Sequence, residues 1–425
     1  MRIICAPSDF AFSSTPGDLD VVLYDRPKRK RQGSVGAAVR ESMRRHKFAP
    51  ALRAWDFTTI ALSVMAADLA GQRDRSPDGW TREFDLHIAV ADQPFWSTQV
   101  PLLEELLGFL TTDRWQLHFL TSGILPAPDR EPVLPDCDSV VLLSGGLDSL
   151  VGAIDLVSRG KKPFAVSQSV RGDEETQDEF AAAIGAGLQH IRLNHNADVP
   201  IPEAMPSQRA RSIIFLAYGV MMATATARYH AGEPITLYLC ENGFISINPP
   251  LTSARLGSLS TRTSHPFYLA KVQEVLRNAG LRVTIENPYQ YKTKGEMLVD
   301  CFDQELLKVH AHLSTSCGRF RRFNYRHCGR CVPCLIRRAA FQRWGIADKT
   351  KYVFRKLSID DKQHARSDDV RSAAMAVAMV EENGVEPLIG ATLSFPVLGD
   401  VTALKAVVRR GVAELRAFLG VQGVQ

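Results

Sequence analysis

The segment Leu143-Ser144-Gly145-Gly146-Leu147-Asp148-Ser149 brings small, hydroxyl-bearing and acidic residues together in one short turn. Two successive glycines let the backbone turn tightly and bring its N–H groups close to a bound anion. The serine hydroxyls can donate hydrogen bonds to phosphate oxygens, whereas Asp148 would repel a phosphate unless a cation lay between them. The pattern therefore predicts a phosphate-binding loop in which Asp148 holds Mg²⁺.

Such a loop needs a strand before it and a helix after it. Residues 139–143 form a short apolar run typical of a central parallel strand, and residues 150–157 have helical spacing with Gly160 just past their end. The N-terminus of that helix would add partial positive charge and free N–H donors. The spacing differs from a Walker A loop, and the third glycine of the dinucleotide fingerprint is missing. A glycine-rich hairpin, or a helix cap by Ser144, is the structural alternative.

A second cluster consists of four of the eight cysteines, Cys317, Cys328, Cys331 and Cys334, within eighteen positions. Thiolates at such spacing suit tetrahedral Zn²⁺, and four protein ligands leave no open coordination position. The predicted role is therefore structural. An iron–sulfur cluster would use the same ligands, and the spacing leaves that alternative open. His327 adjoins a ligand and is predicted to be an exposed neighbour of the metal centre.

Composition limits the class of protein. The 425 residues are 45% hydrophobic and 23% charged, with a formal net charge of +5, which is typical of a folded protein of two or three domains. The apolar stretches 213–225 and 373–380 are shorter than the roughly 20 residues of a membrane span. The basic run 26–31 is more typical of a solvated loop than of a nucleic-acid site, so no nucleic-acid partner is expected. Residues 1–9 lack a signal-peptide pattern, which predicts a cytoplasmic protein with reduced cysteines.

The character of the sequence changes along the chain. Residues 1–130 mix helical and alternating patterns and predict an α+β extension of unassigned role, ending in a proline-rich linker at 124–132. Strand-like and helix-like segments alternate over 138–344, which predicts an α/β domain with a doubly wound parallel sheet. Residues 345–425 predict a helical C-terminal extension and carry no recognisable motif.

The Ser-Gly-Gly-x-Asp-Ser turn resembles the pyrophosphate loop of the N-type ATP pyrophosphatases, which binds the β,γ-pyrophosphate while AMP is transferred. Together with the cysteine cluster, it makes the chain similar to the QueC family of 7-cyano-7-deazaguanine synthases. The segments 209–216, 287–296 and 334–341 also resemble family segments, the last of them an Arg-x-x-Ala-Phe helix after the final cysteine. The resemblance covers about 140–341. It implies an adenine nucleotide alpha-hydrolase-like fold with a structural zinc site.

The chain departs from that family in two ways. A stand-alone synthase corresponds to the central region alone, whereas here more than a hundred residues precede it and about eighty follow it. The Tyr-Pro-Asp-Cys-Arg substrate segment of the family is missing, and 242–250 and 262–266 stand in its place. This architecture is more similar to the QueC-like component of the bacterial Qat anti-phage defence system. In such relatives the activated group can be joined to a protein partner instead of being released as a nitrile.

The resemblance implies an ATP-dependent ligase or synthase, in which a carboxylate attacks the α-phosphorus of ATP and an amine then displaces AMP from the acyl-adenylate. Its partners would be ATP, a carboxylate substrate and a protein from the same operon, with Mg²⁺ on Asp148. Lys294 and Arg262 are candidates for catalytic contacts to phosphate or carboxylate, and Arg211 for a nucleotide contact. For each of these cations a structural or solvated role is the alternative, and His265 could orient the substrate. Ser144, Gly145, Gly146 and Ser149 are expected to bind the pyrophosphate, and Leu143 and Leu147 complete the predicted cofactor-binding loop.

Three other functions stay open. The first is true 7-cyano-7-deazaguanine synthesis in queuosine biosynthesis. The second is sulfur transfer to tRNA through a reactive thiol, for which Cys240 is the candidate, although a buried cysteine at a strand end is the simpler interpretation. The third is a nucleotide-binding scaffold without turnover, which the extensions favour and the intact loop disfavours. The sequence does not predict the acyl substrate, its nucleophile or the oligomeric state.

Overall fold

The computed structural model describes residues 1–12, 17–126, 131–204, 209–251, 262–357, 369–390, 392–396 and 399–424. Within these ranges the chain forms two five-stranded sheets with helices packed against them. The strands are β1 (Arg2–Ala6), β2 (Leu19–Leu23), β3 (Gly33–Val35), β4 (Glu83–Ala89), β5 (Arg114–Leu120), β6 (Ser139–Leu142), β7 (Pro163–Gln168), β8 (His190–Leu193), β9 (Ile235–Tyr238) and β10 (Val283–Glu286). The α-helices are α1 (Ala37–His46), α2 (Leu52–Ala70), α3 (Gln93–Thr98), α4 (Val100–Thr111), α5 (Leu147–Ser158), α6 (Glu174–Ala183), α7 (Ala210–Thr224), α8 (Ala227–His230), α9 (Gly243–Ile247), α10 (Pro266–Asn278), α11 (Lys294–Val299), α12 (Gln304–His310), α13 (Val332–Trp344), α14 (Asp369–Asn383), α15 (Glu386–Ile389) and α16 (Val401–Val421).

The sheet of β6–β10 contains the strand that leads into the predicted phosphate loop. Its strand order is β10-β9-β6-β7-β8, and each neighbouring pair is parallel. All four residues of β6 are buried, as expected for a central strand covered on both faces. The strand order reverses at β6, and doubly wound proteins bind ligands at the carboxyl ends of strands at such a point. The predicted doubly wound α/β fold is confirmed.

The sheet of β1–β5 differs from the α+β region that the sequence predicts. Its order is β3-β2-β1-β4-β5, and each neighbouring pair is again parallel, so this region is α/β as well. The sequence hides this arrangement because the short connections between β1, β2 and β3 do not show the strand–helix–strand pattern that indicates a parallel sheet. Parallel pairing can be predicted only where the crossover helices are visible in the sequence.

Two apolar helices lie between the two sheets. Helix α2 packs along α7, and nearly all residues of α2 are buried. Leu86 of the first sheet and Leu142 of the second therefore belong to one continuous apolar core. The predicted linker at 124–132 lies partly outside the described residues, and the predicted domain boundaries stay predictions. No helix of the described ranges combines the length and the apolar character that crossing a bilayer requires.

The C-terminal region is helical, as predicted. Its longest helix, α16, turns an apolar face toward α13 and α9 and is capped at its start by Asp400, whose side chain accepts a hydrogen bond from the Ala403 N–H. The same helix contacts α11. Although it is remote in sequence, α16 therefore packs on two elements that follow strands of the second sheet.

Candidate nucleotide-binding site and metal centre

The turn between β6 and α5 is formed by the two predicted glycines. Gly145 has φ of 83°, a left-handed conformation that glycine adopts without strain. Gly146 is the N-cap of α5 and provides no side-chain cap, so the helix begins at Leu147, earlier than the sequence predicts. The first N–H groups of a helix have no acceptor within the helix. The turn therefore offers backbone donors to an anion, and neither a hairpin nor a cap by Ser144 describes it.

The two serines of the turn are bonded to each other and to the backbone. Ser149 Oγ accepts a hydrogen bond from the Ser144 N–H at 3.2 Å and donates one to the Gly146 carbonyl at 2.9 Å. Ser144 Oγ lies 3.1 Å from Ser149 Oγ and accepts a hydrogen bond from the Gly146 N–H at 3.2 Å. In this conformation the hydroxyls shape the loop and accept the Ser144 and Gly146 N–H groups, so the N–H groups at the start of α5 are the backbone donors left for an anion.

Asp148 and Lys294 form a buried ion pair beside the turn. Asp148 lies in the first turn of α5, and Lys294 is the first residue of α11, which Thr293 and Glu296 cap reciprocally. Burial raises the pKa of Asp148, but Lys294 and neighbouring hydrogen bonds outweigh this effect and lower it to about 2. Asp148 is therefore ionised, and its negative charge is neutralised by the ammonium of Lys294.

Two further polar residues approach Asp148 from the end of β9. Asn242 donates a hydrogen bond from Nδ2 to Asp148 Oδ2 at 2.6 Å. Glu241 adjoins the pair, and burial together with the Asp148 charge raises its pKa well above the usual range. Sequence reasoning missed Glu241 and named Asn242 only as the start of the segment 242–250, although both lie shortly after β9, a strand next to β6. Polar residues at the carboxyl ends of adjacent parallel strands were the available signal.

A buried arginine fixes the segment that forms the opposite wall. Arg337 of α13 donates hydrogen bonds to the Ala311 carbonyl at 2.7 Å and to the Ser314 hydroxyl at 2.8 Å. The next residue, Thr315, donates its backbone N–H to the Gly145 carbonyl at 2.9 Å. Helix α13, which contains Cys334, is thereby connected to the glycine turn. Sequence reasoning used Arg337 only as part of a helix motif.

These elements enclose a cavity of about 230 Å³. It combines the glycine turn, the ion pair and the residues after β9, so backbone donors, the carboxyl groups of Asp148 and Glu241 and the ammonium of Lys294 meet in one place. This chemistry suits a phosphate chain together with a divalent cation. The residues that line it are Ser144, Gly146, Leu147, Asp148, Ser149, Cys240, Glu241, Ile245, Asn248, Lys294, Thr315, Ser316 and Pro333.

The structure does not bring Arg262 or His265 to this cavity. Arg262 donates a hydrogen bond to the Phe109 carbonyl at 2.9 Å and lies over the Phe109 ring, 4.8 Å from its centroid. His265 caps α10 by accepting the Phe267 N–H, and its other ring nitrogen lies 3.1 Å from the Thr392 carbonyl. Both predicted substrate contacts therefore lie at the packing of α10 against α4, where the flanking regions meet the central fold.

Arg211 lies closer to the turn. Burial lowers its pKa, and the Asp173 carboxylate partly offsets that effect. Asp173 in turn adjoins Gly145. Cys240 also lines the cavity, but burial and the neighbouring carboxylates raise its pKa far above the usual range, and it packs against Gly152. A thiol in this environment stays protonated, which disfavours the sulfur-transfer function.

The four clustered cysteines converge as predicted. Their sulfur atoms all lie within 4.8 Å of one another, with Cys317 and Cys331 at 3.8 Å and Cys328 and Cys334 at 3.9 Å. Backbone N–H groups also bond the sulfurs, including that of Cys331 to the Cys328 sulfur at 3.2 Å. Four convergent, amide-bonded thiols fit a tetrahedral Zn²⁺ ion, although an iron–sulfur cluster takes the same donors.

The structure shows why a glycine follows Cys328 and where the side chain of His327 lies. Gly329 has φ of 86°, and a Cβ atom there would lie 2.3 Å from the Phe354 carbonyl oxygen. His327 was predicted to be exposed, which is wrong, because only 6% of its surface is exposed and it accepts a hydrogen bond from the Ser316 N–H at 3.1 Å. Its ring is part of the packing between the metal centre and the wall of the cavity.

Comparison with known proteins supports the resemblance at the level of the family. A family model described as queuosine biosynthesis protein QueC matches residues 264–345, which include Lys294 and the four cysteines but not the glycine turn. Over 238 residues the chain is 28% identical to 7-cyano-7-deazaguanine synthase 1 of Sphingopyxis alaskensis, covering 50% of this chain and 97% of that protein. It is 28% identical over 253 residues to the 7-cyano-7-deazaguanine synthase of Novosphingobium aromaticivorans, covering 53% and 97%. The chain is thus similar to these synthases over about half of its length.

Proposed function

We propose that this chain is an ATP-dependent carboxylate-adenylating enzyme that releases pyrophosphate and passes the acyl group to an amine. It would modify a deazapurine or a protein partner in bacterial anti-phage defence. The observation that carries the proposal is the glycine turn after β6, whose backbone donors open into the same cavity as the Asp148–Lys294 pair. A reaction with a diphosphate leaving group needs these features at one point, because charge accumulates there in the transition state.

Phosphate binding is attributed to the backbone of the turn. The N–H groups at the start of α5 lie at the positive end of the helix dipole, and no side chain caps them in the described residues. Lys294 neutralises Asp148, so that Asp148 does not repel the incoming phosphates. The enzyme would accelerate the reaction by holding the carboxylate and the α-phosphorus close together and by stabilising the leaving group.

Asp148 and Glu241 would hold Mg²⁺. Their carboxylate oxygens are the hard ligands that this ion prefers, and both line the cavity. When bound, the ion would neutralise charge on the departing pyrophosphate. Glu241 would first have to release the proton that its raised pKa retains. Zinc in the cysteine centre would have a structural role, because four thiolates leave no open coordination position.

The named relatives support a second candidate function. Because the alignment covers 97% of the Sphingopyxis alaskensis protein, the central region contains a counterpart of nearly a whole 7-cyano-7-deazaguanine synthase. In that case the carboxylate would be the deazapurine acid that corresponds to the nitrile in the name, and ammonia would displace AMP to give the amide. A second ATP would then activate the amide oxygen, which would leave with AMP as the nitrile forms. The defence function is favoured instead by the regions outside the alignment and by the missing substrate segment.

The test measures AMP and pyrophosphate from ATP and Mg²⁺, with the deazapurine acid plus ammonium or with proteins encoded beside this chain. We expect Lys294→Met and Asp148→Ala to reduce AMP formation by at least about 100-fold, because each removes charge from the reacting centre. Lys292→Met is the matched control, since Lys292 lies two residues away and pairs with exposed Asp300 at the surface. Zinc content should be unchanged in all three variants.

Each possible result distinguishes the candidates. Deazapurine nitrile as the released product would favour the synthase, whereas a covalent adduct on a neighbouring protein would favour the defence enzyme. AMP formation that persists at the wild-type rate in Asp148→Ala would refute the proposed mechanism. ATP binding without AMP under any of these conditions would favour the non-catalytic scaffold.

A further inference from the structure

The sheet of β1–β5 carries an unusual polar cluster on one of its faces. Along β4 and β5 the residues alternate, and Phe84, Leu86 and Ile88 point into the apolar core that α2 covers. The opposite face presents Asp85 and His87 on β4, and His118 on β5. A parallel sheet is usually covered on both faces by apolar packing, so a polar cluster on this face calls for a chemical explanation.

The register of the two strands brings three ligand-type side chains together. His87 is directly opposite His118 in the parallel pair, and their rings are stacked with centroids 4.5 Å apart. Asp85 Oδ1 lies 2.9 Å from His87 Nε2 and 3.2 Å from His118 Nε2. For ligands about 2.1 Å from a zinc-type ion, the edge of a coordination tetrahedron is about 3.4 Å. The three donor atoms are therefore spaced as ligands of one ion.

The hydrogen bonds of the cluster are incomplete. Asp85 Oδ1 is buried and accepts no hydrogen bond from the described residues, despite the two nearby imidazole nitrogens. His87 Nε2 instead accepts a hydrogen bond from Arg2 Nε at 3.3 Å. Asp85 Oδ1 therefore lies 2.9 Å from His87 Nε2 without a hydrogen bond between them, and a bound cation would provide the partner that this carboxylate oxygen lacks.

One neighbouring cation would compete with a metal ion for this cluster. Arg2 is the competing cation, but its side chain is 43% exposed and has a second acidic neighbour, Asp18, at 3.6 Å. It can turn toward Asp18 when an ion enters.

We propose that Asp85, His87 and His118 bind a divalent transition-metal ion of the zinc class. Two imidazole nitrogens and one carboxylate oxygen are typical ligands for Zn²⁺, Co²⁺ or Fe²⁺, and three protein ligands leave at least one position open for water or another ligand. This centre is separate from the cysteine centre and from the cavity beside the glycine turn. It gives the first sheet a chemical function independent of ATP turnover.

The test uses the full-length protein with zinc already in the cysteine centre, dialysed against micromolar Co²⁺. We expect one additional cobalt per chain by elemental analysis, with a visible ligand-field spectrum and without thiolate-to-cobalt charge transfer. His118→Ala and Asp85→Asn should each weaken cobalt binding by at least about 100-fold, since losing even an outer-shell partner costs 10–100-fold. Gln116→Ala is the matched control, because Gln116 lies opposite Asp85 in the strand register and is exposed.

A variant that is expected to bind cobalt more tightly distinguishes loss of a ligand from misfolding. Arg2→Gln removes the competing cation and should tighten cobalt binding by about tenfold, the effect of one partly screened charge. No additional cobalt in the wild type would overturn the proposal. So would additional cobalt that survives in a His87→Ala/His118→Ala double variant, or cobalt seen only with thiolate charge transfer, which would place the ion in the cysteine centre.

Discussion

The two sheets of this protein share one strand order but differ in the turn after their first strand. Numbered within each sheet, both read 3-2-1-4-5. In the second sheet β6 leads through two glycines directly into α5. In the first sheet β1 is followed by a turn in which the Phe10 N–H bonds to the Pro7 carbonyl at 3.1 Å, and Phe10 and Phe12 pack on Ile4 and Ala89. One turn offers backbone donors, and the other is filled by aromatic rings.

The cavities differ in the same way. The cavity beside the glycine turn lies at the carboxyl end of its sheet. A larger cavity of about 720 Å³ adjoins the first sheet at the opposite, amino end, where Met1, Leu19 and Glu83 line it. Strand order therefore does not by itself produce a phosphate site. The site requires a particular turn, a helix that begins directly after it, and charged residues brought to it from other strands.

The largest expected effect tests whether the stability of the two sheets depends to different degrees on a bound metal ion. We expect Cys331→Ser to lower the free energy of unfolding by on the order of 5 kcal/mol, because loss of a structural metal removes the binding energy that stabilises the surrounding chain. Four of the five tryptophans lie before residue 116, so fluorescence reports mainly on the first sheet and circular dichroism on the whole chain. The two signals should unfold at different denaturant concentrations in this variant.

Cys137→Ser is the control for that experiment. Cys137 is buried but lies outside the cluster, so its substitution should cost only about 1 kcal/mol and leave the zinc content unchanged. Equal destabilisation in the two variants would mean that the cysteine centre adds nothing beyond ordinary packing. Retention of iron rather than zinc in the purified protein would identify an iron–sulfur cluster at the same ligands.

A second prediction concerns the contact between the two sheets. Burial lowers the pKa of His265 to about 4, below the roughly 6.5 of an unfolded chain. The neutral form is favoured in the folded state, so the stability it contributes is present above pH 6.5 and is lost as the pH falls toward 4. The difference between the folded and unfolded pKa values of His265 corresponds to about 3 kcal/mol of unfolding free energy. His265→Asn keeps a capping side chain. As the pH falls from 6.5 toward 4, its free energy of unfolding should decrease less than that of the wild type.

Chemical denaturation at several pH values measures that difference. His46→Asn is the control for replacing an imidazole at an exposed position. Parallel pH curves for the wild type and His265→Asn would contradict the assignment of His265 to a buried, neutral cap. A normal rate of AMP formation in His265→Asn is also expected, since the structure places this residue away from the cavity beside the glycine turn.

The third prediction concerns a substitution in the glycine turn between β6 and α5. Gly145 and Gly160 both have left-handed backbones, with φ of 83° and 78°, and lie at opposite ends of α5. Valine at either position should therefore strain the backbone by a similar amount, about 1–2 kcal/mol. Only Gly145→Val should raise the dissociation constant of ATP, by about 100-fold, because it displaces the N–H donors of the turn. Isothermal titration calorimetry measures this constant, and an equal loss in both variants would refute the assigned role of the turn.

Comparison of sequence and structure shows why some of the site was predictable. The glycine turn and the cysteine centre are contiguous or nearly so, and each residue type has a direct chemical reason at its position. Glu241 lines the cavity, Asn242 bonds to Asp148 and Arg337 fixes the opposite wall, each from a distant part of the chain, and only the folded structure brings them together. Arg262 and His265 carry the same kinds of side chain, but they pack against α4 instead.

The fold was predictable to a similar extent. The second sheet follows from alternating strands and helices, whereas the parallel pairing of the first sheet does not, because the short links between its first strands give no helical pattern. The cluster on β4 is visible in the sequence only as an alternating strand. Its neighbour His118 is thirty-one residues away from His87 and becomes adjacent through strand register alone.

The smallest expected effect tests whether the C-terminal helix contributes to the site of the second sheet. Glu414 of α16 accepts a hydrogen bond from the Thr293 hydroxyl at 2.5 Å, at the cap that precedes Lys294. Glu414→Ala should cost about 1 kcal/mol of stability and lower the kcat of AMP formation several-fold, while Glu414→Gln, which keeps an acceptor, should retain most of both. Glu381→Ala is the control, because Glu381 pairs with exposed Arg416 at the surface. If Glu414→Ala loses stability but keeps its kcat, α16 supports the fold without positioning Lys294. The difference between the two sheets would then lie in their turns and metal ligands, without a contribution from α16.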